Sequence, residues 1–159
     1  AYGMSEYQAE QLRQAAPMHD VGKIGIPDSI LLKPGRLDAT EFEHMKQHAI
    51  IGAKILEDSP SRLLQLAHKL ALEHHEKWDG TGYPDGLKGE EISIEGRIVS
   101  IADVFDALTS VRPYKDAWPV EKAVELLKAE SGKHFDPQLI DLFIGQIDSI
   151  IEIKNTYSR

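Results

Sequence analysis

From Ser5 to Ile150 the apolar residues recur at spacings of three and four, and no stretch alternates apolar with polar as a half-buried strand would. Start and stop signals stand between the apolar stripes. Ser5-x-x-Gln8 forms a capping box ahead of Leu12, Ala15 and Ala16, in a helix predicted to reach about Asp20 with a kink at Pro17. Gly22, Gly25, Pro27, Pro34 and Gly35 mark a long connection. Asp38-x-x-Glu41 caps the next helix, whose buried stripe is predicted to be Phe42, Met45, Ala49, Gly52, Ala53 and Leu56, ended by Ser59-Pro60. Leu63, Leu66, Ala67, Leu70 and Ala71 give a third helix ending at His74-His75. Ser93 caps a helix carrying Ile98, Ile101, Ala102, Phe105 and Leu108, which Arg112-Pro113-Tyr114 ends. Pro119 opens another at its first helical position, and Asp136-Pro137 caps a last one running to Ile150. The expected fold is all-α: a compact single-domain bundle of about six to seven helices.

A chain of 159 residues can bury a working core as one domain. It has no cysteine, so disulfides, zinc fingers and thiol catalysis are excluded. Its longest apolar runs are a few residues, against the roughly 20 a membrane span needs, and no secretory pattern opens it; a cytoplasmic domain is the expectation. The formal charge of −8 argues against a general nucleic-acid binder. A small phosphate ester remains possible if local cations draw it in.

The chemistry concentrates in a few places. His74 and His75 are adjacent imidazoles at a helix end, directly before a run with three glycines, Gly80, Gly82 and Gly86. They suit metal ligation, or a helix C-terminus favoured by the dipole. His19-Asp20 precedes Gly22, which permits a tight turn, and Lys23, which could meet a phosphate. His48 adjoins Gly52, a residue small enough to let a neighbour approach, whereas His44 among Glu41, Glu43 and Lys46 reads as solvated. His68 reads as a core or boundary residue, and His134 as a turn residue satisfying backbone groups. Asp103 lies in a mostly apolar helix, where a carboxylate is costly to bury unless paired or metal-bound. Asp106 shares its flank, so one acid could be a ligand and the other its partner, or both could be solvated. His19, Asp20, His48, His74, His75 and Asp103 form a nitrogen and oxygen donor set suited to iron, manganese or zinc. Such a set fits two or more ions, and paired ions about 3.5–4 Å apart can generate hydroxide and drive displacement at phosphorus. Lys23, Arg112 and Lys115 would supply a phosphate grip, or are surface charges.

These residues also spell a family. His-Asp-Val-Gly-Lys at 19–23, His-His-Glu-Lys-Trp-Asp-Gly-Thr-Gly-Tyr-Pro at 74–84, Ala-Asp-Val-Phe-Asp-Ala-Leu at 102–108 and Arg-Pro-Tyr-Lys at 112–115 resemble the HD-GYP domain, a branch of the HD phosphohydrolase superfamily. The likeness runs from about Met4 to Ile150. It implies a helical phosphodiesterase that hydrolyses cyclic di-GMP to pGpG and often on to GMP, with two or three divalent ions, most often iron and otherwise manganese. By position, the resemblance makes His19, Asp20, His48, His74, His75 and Asp103 metal ligands, with Asp20 bridging, and His19, Asp20 and Lys23 the catalytic group. Lys23, Tyr83, Arg112 and Lys115 would hold substrate. Gly82, Tyr83 and Pro84 would shape a loop that meets substrate or a diguanylate cyclase (GGDEF) domain or adaptor.

The family usually carries a further helix upstream, bearing a Glu and a His four residues apart as ligands, and Ala1 lies only eighteen residues before His19. The expectation is therefore a fragment of a longer signalling protein with an upstream receiver or sensor domain. Ala49 stands where a proline is usual and Pro119 where a hydroxyl cap is usual. Two alternatives share the motifs: a non-catalytic module that binds a cyclase or adaptor, and a phosphohydrolase for another cyclic dinucleotide or nucleotide.

Overall fold

Five of the helices begin on a side-chain cap that accepts a backbone N–H. The computed structural model describes residues 3–111 and 115–157, and among these lie eight α-helices and no extended strand. They are α1 (Glu6–Ala15), α2 (Asp28–Leu31), α3 (Ala39–Ile55), α4 (Arg62–Glu73), α5 (Ile94–Thr109), α6 (Val120–Ala129), α7 (Pro137–Gly145) and α8 (Ile147–Tyr157). Ser5 with Gln8 and Asp38 with Glu41 close both halves of a capping box on α1 and α3. Ser61, Ser93 and Asp136 accept backbone N–H groups at the starts of α4, α5 and α7.

Several boundaries differ from the sequence expectation. α1 stops at Ala15, and Ala16–Met18 continues as a 3₁₀ turn with Pro17 inside it, so the proline ends the helix instead of kinking it. The connection after Asp20 holds a second 3₁₀ turn, Val21–Gly25, and the short α2. Pro119 is the cap of α6 and lies just outside its first helical position. The last helix divides into α7 and α8 after Gly145, where glycine's conformational freedom weakens helix continuity. Division of that helix and the extra α2 take the count past seven.

The core has two apolar clusters that meet on α5. Leu12, Ala15, Leu56, Ala67, Leu70, Ala71 and Val99 gather α1, α4 and the start of α5. Ile101, Phe105, Ala123, Leu127, Phe135, Leu139 and Ile140 gather the end of α5 with α6 and α7. A buried salt bridge ties the two halves. Arg97 Nη1 on α5 donates to Asp136 Oδ2 at 2.7 Å, the same carboxylate that caps α7.

No helix among the described residues is long and apolar enough to cross a membrane.

Candidate metal centre

Helical spacing aims the histidines inward. On α4, Ala67, Leu70 and Ala71 are wholly buried, and His74 continues that stripe three residues further; its side chain has no exposure. On α3, His48 shares the buried face with Ala49, Gly52 and Ala53 and is 1 % exposed. His19 and Asp20 sit at the junction of the two 3₁₀ turns. What presses that junction against α3 is a glycine contact. A β-carbon on Gly22 would stand 1.8 Å from the His48 carbonyl oxygen and 2.4 Å from the Gly52 nitrogen, so no other residue fits. The expectation that Gly52 lets a neighbour approach is met, with Gly22 as the neighbour.

Backbone carbonyls select the tautomer of each ring. His48 Nδ1 lies 2.7 Å from the Met45 oxygen, His74 Nδ1 2.8 Å from the Leu70 oxygen, and His19 Nδ1 bonds the Ala16 oxygen. A carbonyl only accepts, so each Nδ1 carries the proton and each Nε2 offers a lone pair when the ring is neutral. His48 Nε2 and His74 Nε2 face each other at 3.2 Å, and Asp20 Oδ1 stands 3.4 and 3.3 Å from them. With both rings in their neutral form, three acceptors converge here. On the other side Asp20 Oδ2 lies 3.1 Å from His19 Nε2, which is 3.4 Å from Asp103 Oδ1. Asp20, His48, His74 and His75 can bring one donor atom each within 4.8 Å of one another, and so can His19, Asp20 and Asp103. Asp20 belongs to both groups.

The electrostatics match a site built for cations. Burial would raise the Asp20 carboxyl, but His19, His48 and His74 hold it far below the ordinary carboxylate range. Burial would lower His19, yet the carboxylates of Asp103 and Asp20 lift it to about 10. Burial raises Asp103, and His19 outweighs that to bring it down. Burial, with His74 and His48 adding to it, lowers His75 to about 3, so its ring is neutral. His19 Nε2 and Asp20 Oδ1 are nevertheless buried without a hydrogen-bond partner. The charge pairings are close but poorly aligned. Orphaned buried atoms of this kind, in an all nitrogen and oxygen donor set, fit divalent metal ions.

The loop after His75 is fastened to the site by a residue that sequence reasoning passed over. Glu76, 2 % exposed, accepts from the Asp85 amide at 2.7 Å and the Gly86 amide at 3.2 Å through Oε1, and from the Leu87 amide at 2.8 Å through Oε2. Burial raises its carboxyl above the usual range against the pull of these amides. Tyr83 N–H donates to the His75 carbonyl at 3.2 Å, and a β-carbon on Gly82 would lie 2.5 Å from that same oxygen. Tyr83 therefore stacks on His75, with ring centroids 4.9 Å apart and planes at 23°. Burial, helped by Asp20 and Asp103, pushes its phenol up to about 12 and keeps it protonated. The Tyr83–Pro84 peptide is cis. A glutamate followed nine to eleven residues later by a tight loop was the available signal, but many surface sequences share that spacing.

Other expectations divide. Lys23 is near the cluster, its ammonium 3.3 Å from Asp20 Oδ2 and half exposed. The Lys115 ammonium is directed at the Ala107 and Leu108 carbonyls at the end of α5, at 3.4 and 3.1 Å. Arg112, with Pro113 and Tyr114, lies outside the described residues. Asp106 is turned outward, toward Ser110 and Lys154, so Asp103 is the acid that reaches the cluster. His44 is exposed as expected, and His68 packs at the boundary against the Ala53 carbonyl. Among the described residues the His134 ring makes no backbone bond; it stacks on Phe135 and approaches Ser100. Phe42 departs from the predicted buried stripe and is 45 % exposed.

Among known families, the model of the HD domain matches residues 1–139. The chain belongs to the HD domain family. The matched span includes His19-Asp20, the pair at the centre of the cluster. Three relatives extend the likeness. A cyclic di-GMP phosphodiesterase of Thermotoga maritima is 54% identical over 157 residues, covering 99% of this chain and 42% of the relative. The cyclic di-GMP phosphodiesterase response regulator RpfG of Xanthomonas campestris pv. campestris is 51% identical, covering 98% of this chain and 41% of the relative. A 3′3′-cGAMP-specific phosphodiesterase of Vibrio cholerae is 51% identical, covering 96% of this chain and 29% of the relative. The chain thus spans less than half the length of these relatives. A crystal structure of a cyclic GMP-AMP specific phosphodiesterase of V. cholerae superposes with a TM-score of 0.65 at 22% identity, over 98% of this chain and 42% of that one. That likeness concerns the HD fold.

Proposed function

We propose that this HD domain is a metal-dependent phosphodiesterase that hydrolyses a cyclic dinucleotide, cyclic di-GMP foremost, to pGpG or GMP. The observation that carries the reading is Asp20, a carboxylate shared between two converging donor groups, one oxygen toward each. The names of relatives at about half identity agree with it. His48, His74 and His75 with Asp20 would hold one ion, and His19 and Asp103 with Asp20 a second; iron or manganese suits the set, and zinc is compatible. Divalent ions in such a site supply Lewis-acid activation of water and charge neutralisation at phosphorus.

The chain's own residues would do the rest. Carbonyls of Ala16, Met45 and Leu70 hold the imidazoles in the one tautomer that offers Nε2 inward. Lys23, half exposed beside Asp20, gives an anionic substrate a local attraction that the net charge of −8 opposes elsewhere. Arg112 and Lys115 complete the phosphate grip in this reading, which requires the Lys115 ammonium to leave the carbonyls of α5. Tyr83 keeps a phenolic proton available as a donor and covers His75 from water. The loop of Gly82, Tyr83 and Pro84, with the exposed Asp85 and Gly86 following it, would be the meeting place for a diguanylate cyclase domain or adaptor. A cytoplasmic setting and an upstream receiver or sensor domain belong to the same reading.

The test is direct. The protein is reconstituted with Fe²⁺ or Mn²⁺, its metal content measured, and cyclic di-GMP and 3′3′-cGAMP offered separately. Turnover to linear product is expected, with both metal and turnover lost in Asp20→Asn. Metal-loaded protein that cleaves neither nucleotide would refute the reading. The cGAMP-specific name of one relative makes 3′3′-cGAMP the second substrate to consider.

A further inference from the structure

The loop aromatic Tyr83 does not stand alone. α3 places Phe42 and Lys46 one turn apart on one face, and both reach it. The Phe42 ring meets Tyr83 edge-on, with centroids 6.0 Å apart and planes at 86°. The Lys46 ammonium lies 5.5 Å from the Phe42 centroid and 5.5 Å from the Tyr83 centroid. Tyr83 in turn stacks on His75. A continuous path of rings therefore leads from the candidate ligands to the surface and ends in an aromatic that is 45 % exposed, with a cation between the outer two rings.

We propose that Lys46, between Phe42 and Tyr83, reads the purine base of the substrate and selects guanine over adenine. This rests on the cyclic-dinucleotide reading above. A dinucleotide whose phosphate lies at the metal cluster projects its bases outward, and exposed aromatics beside a cation are the surface on which bases stack. Stacking is indifferent to base identity; the ammonium is not. Lysine offers three donors and no acceptor. Guanine presents two adjacent acceptors, O6 and N7, whereas adenine pairs its N7 acceptor with an N6 amino donor that an ammonium opposes. Among the described residues Lys46 pairs with Glu43 at 2.6 Å; the Lys46 side chain is 25 % exposed and that of Glu43 66 %. With the Glu43 carboxylate largely in water, the pair is weak and the ammonium can exchange it for a base.

The experiment measures kcat/KM of the metal-loaded protein for cyclic di-GMP, 3′3′-cGAMP and cyclic di-AMP, together with calorimetric binding of each. Lys46→Met is expected to lower the cyclic di-GMP value about tenfold or more, within the range one base contact controls, and to leave cyclic di-AMP within about twofold. Lys46→Arg should keep the guanine preference, because a guanidinium also pairs with O6 and N7, and Lys46→Gln should move it toward adenine. Phe42→Ala should weaken all three nucleotides alike. A wild-type protein with no guanine preference would overturn the proposal, as would a Lys46→Met variant that hydrolyses all three in unchanged proportion. A wild-type protein that neither binds nor cleaves any cyclic dinucleotide would instead overturn the underlying reading, and this proposal with it.

Discussion

Replacing Glu76 by alanine should release the loop that carries Tyr83 while leaving the helices formed. The carboxylate is the acceptor for three amides, Asp85, Gly86 and Leu87, at 2.7, 3.2 and 2.8 Å. A buried donor left without its acceptor costs about 1–3 kcal/mol. Asp85 and Gly86 are themselves exposed, so their amides can turn to water once the loop loosens. Crediting that relief, the net loss should be about 2–4 kcal/mol. For a chain of this size that lowers Tm by roughly 5–12 °C. Glu76→Gln is the sharper control. The amide keeps one oxygen for Asp85 and Gly86 but sets an NH₂ against the Leu87 N–H, donor against donor, so about 1–3 kcal/mol should go. Hydrogen exchange locates the effect. A local loss of 2–4 kcal/mol corresponds to roughly 30- to 700-fold faster exchange at the three amides. If their protection is unchanged in Glu76→Ala, or Tm falls by less than about 2 °C, the loop is held by something else and the argument fails.

Three further outcomes follow from the same geometry. Gly22→Ala would set a β-carbon 1.8 Å from the His48 carbonyl oxygen, and since both sides of that contact are backbone the 3₁₀ turn must move off α3; divalent-ion uptake should be lost even where circular dichroism still shows helix, and normal uptake would contradict the role given to the glycine contact. Arg97→Ala strands the Asp136 carboxylate, which is 5 % exposed, and should cost about 3–5 kcal/mol in urea unfolding, with a loss below about 1 kcal/mol telling against the buried pair as a tie between the two core clusters. The third concerns pH. Burial, with Lys77 adding to it, lowers His134 from 6.5 to about 4, so below 6.5 the unfolded chain binds the proton that the folded chain refuses. Stability from this group is full above pH 6.5 and lost as pH falls toward 4; discounted for partial exposure, it amounts to about 1–2 kcal/mol. His134→Gln should flatten the Tm profile over that window, and an identical slope in both proteins would show that another group is responsible.

How much of this was open to a reader of the chain depends on whether the information is local. Helix starts were legible because a cap acts within three residues: Ser5, Asp38, Ser93 and Asp136 all perform as their spacing implies. Helix ends were less so. Pro17 and Gly145 mark where a helix is weakened, but whether it kinks or ends there could not be read from the chain. The motifs identified the HD family, and His48 and His74 prove to lie on the buried faces of α3 and α4. Phe42 shows the limit of that periodicity. It falls on the apolar stripe of α3, yet it is left 45 % exposed at the rim beside Tyr83.

By itself the sequence determined the all-α class and the family, and it singled out the candidate donor residues, since helical period, capping and motif spacing are carried by neighbours along the chain. Only the tertiary structure decided that Asp20 turns one oxygen toward His48 and His74 and the other toward His19, that Asp103 and not Asp106 faces the cluster, and that Glu76 holds the loop shut. Those facts depend on where α3, α4 and α5 pass one another. The Gly22–Gly52 contact helps set that passage, and a close approach between residues thirty apart leaves no local signature.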